Sequence, residues 1–217
     1  MGLLAKQVDL MKDLRREVIH LFAQMERMKQ EVQEMREALL DEDNVQLPAW
    51  ALKTSGATID RQRTSSSYAW GGSWLCTTLG FLCAPNPPDN ILQPDRTPAD
   101  SWAFRGSKGQ VVIRLPARIC PSALTLQHLF QPAAAVCSIS SFPRNIAVSG
   151  LNEEGKDTPL GTFTYEIGKK EIQIFSLKSE RCKAFKYIKI NILSNWGNSK
   201  YTCLYRVQVH GKRAVQD

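Results

Sequence analysis

Between Gln110 and Val209 the chain is a succession of short segments that alternate apolar and polar residues or run apolar, most of them punctuated by proline or glycine. The segments are Gln110 to Leu115, Leu124 to His128, Ile146 to Val148, Gly161 to Ile167, Ile172 to Leu177, Tyr187 to Leu193 and Tyr201 to Val209. Pro116, Pro143, Gly150 to Gly155 and Gly168 separate them. A period of two suits half-buried strands, and many short strands at this spacing predict an antiparallel β-sandwich. In the last segment, alternation puts Tyr201, Cys203, Tyr205, Val207 and Val209 on one face, and Thr202, Leu204, Arg206, Gln208 and His210 on the other. Periodicity alone makes this an ordinary core strand whose tyrosines reach the sheet edge.

Upstream the period changes. Met11, Leu14, Val18, Leu21, Met25, Met28, Val32, Met35 and Leu39 recur at alternating steps of three and four, which predicts a coiled-coil seam. With Met11, Val18, Met25, Val32 and Leu39 at a, Glu31 at g pairs with Arg36 at the next e of a parallel neighbour. Ile19, Phe22 and Leu40 widen the stripe, and the alternative is a helix docked on its own domain. A methionine-rich seam specifies oligomer number poorly, because methionine adapts to many holes. Acidic Asp41 to Asn44 and then Pro48 end the helix.

A chain of 217 residues, 43% hydrophobic, has room for one domain with an appendage. Its net charge of +7 comes from scattered Lys and Arg with no basic run and no stacking-aromatic pattern, so no nucleic-acid partner is expected. The six cysteines form no Cys-x-x-Cys pair and no Cys/His ligand spacing, so no metal site built from side chains is expected. No apolar stretch is long enough to span a bilayer, Met1 starts no signal peptide pattern, and Lys6 stands where a myristoylation motif needs Ser or Thr. His20, His128 and His210 lie in no nucleophile or metallohydrolase motif, and no glycine-rich phosphate loop is present. The chain is therefore not expected to be an enzyme.

Between Tyr68 and Asp89, Ala69 to Leu75 and Thr78 to Leu82 read as the arms of a hairpin punctuated by Gly71-Gly72 and Gly80. Trp70, Trp74, Leu75, Phe81 and Leu82 on such a hairpin need a cover: a partner, or the domain's own core. Tryptophans on an exposed loop also fit a carbohydrate or lipid-headgroup site. Cys76 and Cys83 either face each other across the hairpin or stay free.

Ser194-Asn-Trp196-Gly followed by Tyr201-Thr-Cys-Leu-Tyr205-Arg and ending in Val209-His-Gly resembles the C-terminal signature of the SUN domain family. Trp50-Ala-Leu-Lys-Thr-Ser-Gly-Ala, Ile91-Leu-Gln-Pro-Asp and Trp102-Ala-Phe match the same family in the same order. The seam gives a coiled-coil helix over residues 1–41, followed by a linker and domain entry over 42–67; the resemblance, which covers roughly residues 48–212, implies a lid hairpin over 68–90 and a β-sandwich core over 91–212, leaving a tail over 213–217. It implies a trimer, or a hetero-oligomer with other SUN proteins, that binds the C-terminal peptide of a KASH protein. That places the domain in the perinuclear space on the inner nuclear membrane, linking nucleus to cytoskeleton as part of a LINC complex. The peptide's terminal carboxylate would be held by His128, Ser141, Tyr201 and Tyr205, hydroxyls and an imidazole that can donate to it while the peptide adds as a strand beside the lid. Residues 91–102, with Ile91, Gln93, Asp95 and Asp100, resemble the family's cation loop, whose backbone carbonyls hold a monovalent cation such as potassium.

The departures are specific. Ser101 stands where the family has the cysteine that pairs with the Cys of Tyr-Thr-Cys, so Cys203 is expected to be a buried thiol without its usual mate. Thr64 stands where some members carry a cysteine that bonds the partner. Asn198-Ser199-Lys200 replaces a His-Pro pair, and Phe142 replaces a small residue after Ser141. Residues 55–64 and 110–118 look closest to the short, spermatid-type members. The family's membrane anchor lies upstream of the stem, so the chain reads as a fragment or as a short form, and a short form carries the further reading of a regulator that blocks full-length relatives.

Overall fold

The computed structural model describes residues 12, 15–32, 48–69, 85–93, 100–128, 137–152, 154–178 and 182–214. The chain divides into two compact units, Met1–Val45 and Gln46–Asp217. In the first, residues 15–32 are helical, and Val18, Leu21, Met25, Met28 and Val32 of the apolar stripe are exposed, as are Ile19 and Phe22. The remaining seam positions, from Met11 to Leu14 and from Met35 onward, lie outside the described residues. No described helix is long and apolar enough to cross a membrane.

The second unit is built on β3 (Gly109–Gln127), a strand of 19 residues. Its first half is flanked by β1 (Thr58–Ile59) and β7 (Phe185–Asn195), its second half by β6 (Ile172–Ser176) and β9 (Arg206–Arg213). Beyond β7 lie β4 (Pro143–Leu151) and β5 (Asp157–Thr164), and every pairing is antiparallel. A strand that changes partners midway turns the corner between the two faces of a sandwich.

The sequence places a break at Pro116 and a new strand at Leu124, yet the chain continues as one strand. Pro116 and Pro121 fall where the ladders slip, between Arg114 and Ile119 against β7 and between Pro121 and Ala123 against β9. A residue without an N–H is tolerated at such irregularities. The opposite correction applies at the C-terminus. Tyr201 to Val209 is two strands, β8 (Tyr201–Leu204) and β9, broken at Tyr205. β8 pairs with β2 (Trp102–Arg105) and β9 with β3. Thr202 and Leu204 are consequently as buried as Cys203, so the expected two-faced alternation fails across β8.

The core joins Ile113, Leu115, Ile119, Leu124 and Leu126 of β3 to Ile146, Ile188, Ile190, Val207 and Val209, with Trp102 and Phe104 of β2 among its largest fully buried side chains. Each such side chain contributes on the order of 1.5–3 kcal/mol when removed from water. The lead-in docks on β9: the Trp50 backbone N–H donates to Val209 O (2.8 Å), its indole to Gly211 O (2.9 Å), and Ala49 bridges His210. A disulfide joins Cys120 of β3 to Cys182.

Candidate functional site

The residues that the family resemblance points to lie towards one end of the β-sandwich unit. His128 is the first residue after β3, and its N–H donates to Glu171 O (2.9 Å). Gln127 pairs with Arg206, which brings Tyr205, in the break between β8 and β9, beside His128. Ser141 ends a 3-10 turn, Ile139–Ser141, that is tied to the signature loop through Asn198 N–H to Ser140 O (3.0 Å) and Trp196 N–H to Phe142 O (3.1 Å). Tyr201 opens β8, with its ring 5.2 Å from that of Tyr68.

Tyr201 and Tyr205 are half-buried, but His128 and Ser141 are sealed, at 1% and 0% exposure. The Ser141 hydroxyl donates to Ser138 O (2.6 Å). The His128 ring stacks on Phe142 (4.2 Å between centroids) and meets the edge of Tyr165 (5.4 Å), while its Nε2 has no hydrogen-bond partner among the described residues. Burial holds its pKa down at about 3, so the imidazole is neutral at physiological pH. Burial, and secondarily Glu171, push the Tyr165 phenol up, keeping it neutral as well. Phe142 thus caps the histidine in a way a small residue would not.

Three further residues organise this end. Asn195, 8% exposed, donates through Nδ2 to Asn198 O (2.7 Å), Tyr201 O (3.2 Å) and Thr202 Oγ1 (2.9 Å), and its Oδ1 accepts from Gly197 N–H (3.0 Å). Gly197 sits at φ +117°, a conformation that L side chains rarely adopt. Asn198 Oδ1 accepts from the N–H groups of Lys200 (2.9 Å) and Tyr201 (3.2 Å), capping the start of β8 where the family has His-Pro. Cys203, expected as an unpaired thiol, is bonded to Cys137, 66 residues earlier. Cys137 lies two residues before the 3-10 turn Ile139–Ser141, which contacts β8, a proximity that local spacing cannot reveal.

The model of the Sad1 / UNC-like C-terminal family matches residues 83–213. This chain belongs to that family. Rat sperm-associated antigen 4 protein is 45% identical over 177 residues, 80% of this chain and 40% of that protein. Mouse SUN domain-containing protein 3 is 41% identical over 178 residues, 78% of this chain and 54% of that one. Human SUN domain-containing protein 5 is 35% identical over 212 residues, 94% and 55% respectively. The chain therefore spans about half or less of the length of the curated relatives it matches. Among solved structures, a family 32 carbohydrate-binding module of Streptococcus pneumoniae EndoD overlays with TM-score 0.53 at 14% identity, covering 76% of this chain and all of that one. A putative chitobiase fragment from Bacteroides thetaiotaomicron gives 0.57 at 12%, covering 79% of this chain and 97% of that one. At such identities the likeness is one of fold, a jelly-roll-like β-sandwich.

Of the SUN-type lid, Trp70, Trp74, Leu75, Phe81 and Leu82 lie outside the described residues, as do Cys76 and Cys83. The base of that segment is described: the Ser67 hydroxyl donates to Asn86 O (2.9 Å), so the chain leaves and returns at one place, and Tyr68 N–H donates to Ala103 O (2.7 Å). Of the residues expected in a cation loop, Ile91 is buried, Gln93 and Asp100 are half-buried, and Asp95 lies outside the described residues. The Asn90 amide donates to Asp100 O (2.8 Å) and that of Asn86 to Ser101 O (3.0 Å), closing with hydrogen bonds the loop that the family closes with a disulfide. Thr64 Oγ1 accepts from Val112 N–H (3.1 Å). Among the described residues no three His, Cys, Asp or Glu side chains gather as metal ligands.

Proposed function

We propose that this Sad1/UNC-like domain holds the C-terminal end of an extended peptide of the KASH type, in the perinuclear space, so that force passes between the nucleus and the cytoskeleton. The observation that carries the reading is the convergence of His128, Ser141, Tyr201 and Tyr205, from the end of β3, the 3-10 turn and the β8–β9 break, on one end of the domain. The half-buried tyrosines supply the hydroxyl donors, while His128, stacked on Phe142, and Ser141 are buried. Hydrogen bonds to a charged carboxylate contribute about 1.5–3 kcal/mol each, enough for chain-end recognition to dominate the affinity. The helix, with its exposed seam, serves self-association as a trimer or mixed association with related chains. The loop over residues 91–102 holds a monovalent, potassium-type cation by carbonyls, with the Asn90 to Asp100 bond fixing its ends. The name of the rat relative, sperm-associated antigen 4 protein, supports a role in sperm-forming cells. The deciding experiment is titration calorimetry of the full chain with a KASH C-terminal peptide and with the same peptide shortened by its last residue. Binding of the first alone supports the reading; equal binding of both refutes it.

A further inference from the structure

Ser141 and Tyr201 sit on elements that share no strand ladder. β4, which follows the Ser141 turn, pairs with β5 and β7, whereas β8 pairs with β2. The turn itself is three residues long, closed internally by Ser141 N–H to Ser138 O and Phe142 N–H to Ile139 O. Its backbone bonds to the signature region reach Trp196 and Asn198, in the loop before β8 and not in β8 itself. The Cys137–Cys203 disulfide crosses that gap: one sulfur lies four residues before Ser141, the other two residues after Tyr201. Positions two apart on a strand point the same way, so the bond lies on the face from which Tyr201 projects. Cys203 is fully buried and Cys137 7% exposed, so the bond is internal and not a surface staple.

We propose that the Cys137–Cys203 disulfide is a positioning element of the peptide-end site, locking the Ser141 turn against β8 so that the polar groups keep one spacing. This deepens the function proposed above and rests on it. It also gives Cys203 a role in place of the unpaired thiol expected from Ser101, while Asn90 and Asn86 tie the ends of the loop over residues 91–102.

The second disulfide provides a matched control. Cys120–Cys182 closes a separation of 62 residues against 66, so the two bonds constrain the unfolded chain almost equally. It reaches β3 at Cys120, eight residues before His128, or roughly 25 Å of extended strand from the site. The experiment compares the full chain with its Cys137→Ala/Cys203→Ala and Cys120→Ala/Cys182→Ala variants. Each is titrated at a temperature well below melting with a KASH C-terminal peptide bearing a free carboxylate and with the same peptide as its C-terminal amide. The intact chain should prefer the carboxylate form by about tenfold or more. Loss of Cys137–Cys203 should bring that ratio towards one with little change in affinity for the amide, while loss of Cys120–Cys182 lowers melting temperature and leaves the ratio intact.

A ratio retained without Cys137–Cys203, or lost equally in both variants, overturns the proposal. An intact chain that shows no preference overturns the peptide-end reading and this proposal with it. Where the alanine pair does not fold, Cys137→Ala/Cys203→Val restores apolar volume; failure of both to fold assigns the bond to folding and also overturns the proposal.

Discussion

His128 links the stability of the domain to acid. Its ring is packed between Phe142 and Tyr165, is 1% exposed and has a pKa lowered from 6.5 to about 3 by burial. As pH falls below about 6.5 the unfolded chain takes up a proton that the folded chain refuses, so stability drops progressively until about pH 3. At pH 5 the difference amounts to about 1.5 pH units of proton affinity, or about 2 kcal/mol lost relative to neutral pH. A loss of that size is a substantial fraction of the stability of an ordinary domain. Urea denaturation of the full chain and of His128→Gln at pH 7.5 and pH 5 isolates the effect, because every other titrating group is common to both. The wild type should lose about 2 kcal/mol more than the variant over that interval, with equal m-values. Parallel losses would show that the imidazole titrates normally, and would refute the idea that Phe142 seals it. Under the sealed arrangement His128 meets a ligand only as a neutral group, and peptide binding should not strengthen as pH falls from 7.5 to 6.

Other outcomes follow from individual contacts. A Cβ on Gly211 would stand 2.3 Å from the Cys120 backbone oxygen, which no rotamer can relieve, so Gly211→Ala should cost about 2 kcal/mol or more in denaturant melts; an unchanged midpoint would contradict the close β3–β9 approach. Tyr201→Phe and Tyr205→Phe should each weaken binding of a KASH C-terminal peptide by about 1–2 kcal/mol, as read by calorimetry; full affinity in both would remove the hydroxyls from the site. Leu21→Glu/Met28→Glu, on the exposed helical stripe, should reduce the mass of the full chain measured by light scattering to that of a monomer, and an unchanged oligomer would show that the helix is not the seam.

The sandwich was legible because alternation and its proline and glycine stops are local properties. The length of β3 was not, since Pro116 and Pro121 read as terminators until ladder slips are known to accommodate them. Nor was the break at Tyr205, because a strand that changes sheets keeps the same period on both sides of the change. The four site residues came from resemblance to the SUN family; periodicity alone assigned Tyr201 and Tyr205 to an ordinary strand. In the sequence Phe142 is only a departure from the family pattern, and its stacking on His128 depends on the positions of two elements at once. Asn195 was visible only as a letter of the signature, although a buried side-chain amide between strands is the kind of group that must satisfy several partners. The pairing of Cys137 with Cys203 crosses 66 residues, beyond any spacing rule, and the missing cysteine at Ser101 pointed away from it.

The central claim is that a peptide's last residue sits at the end of the domain formed by the 3-10 turn and the β8–β9 break. Photo-crosslinking tests it most directly: a KASH C-terminal peptide with a photoreactive group on its final side chain is irradiated with the full chain, and adducts are mapped by mass spectrometry. The account predicts adducts within residues 137–142 and 201–205, suppressed by excess unlabelled peptide. Suppressible adducts confined to other strands, or none above those of a scrambled peptide, would contradict it.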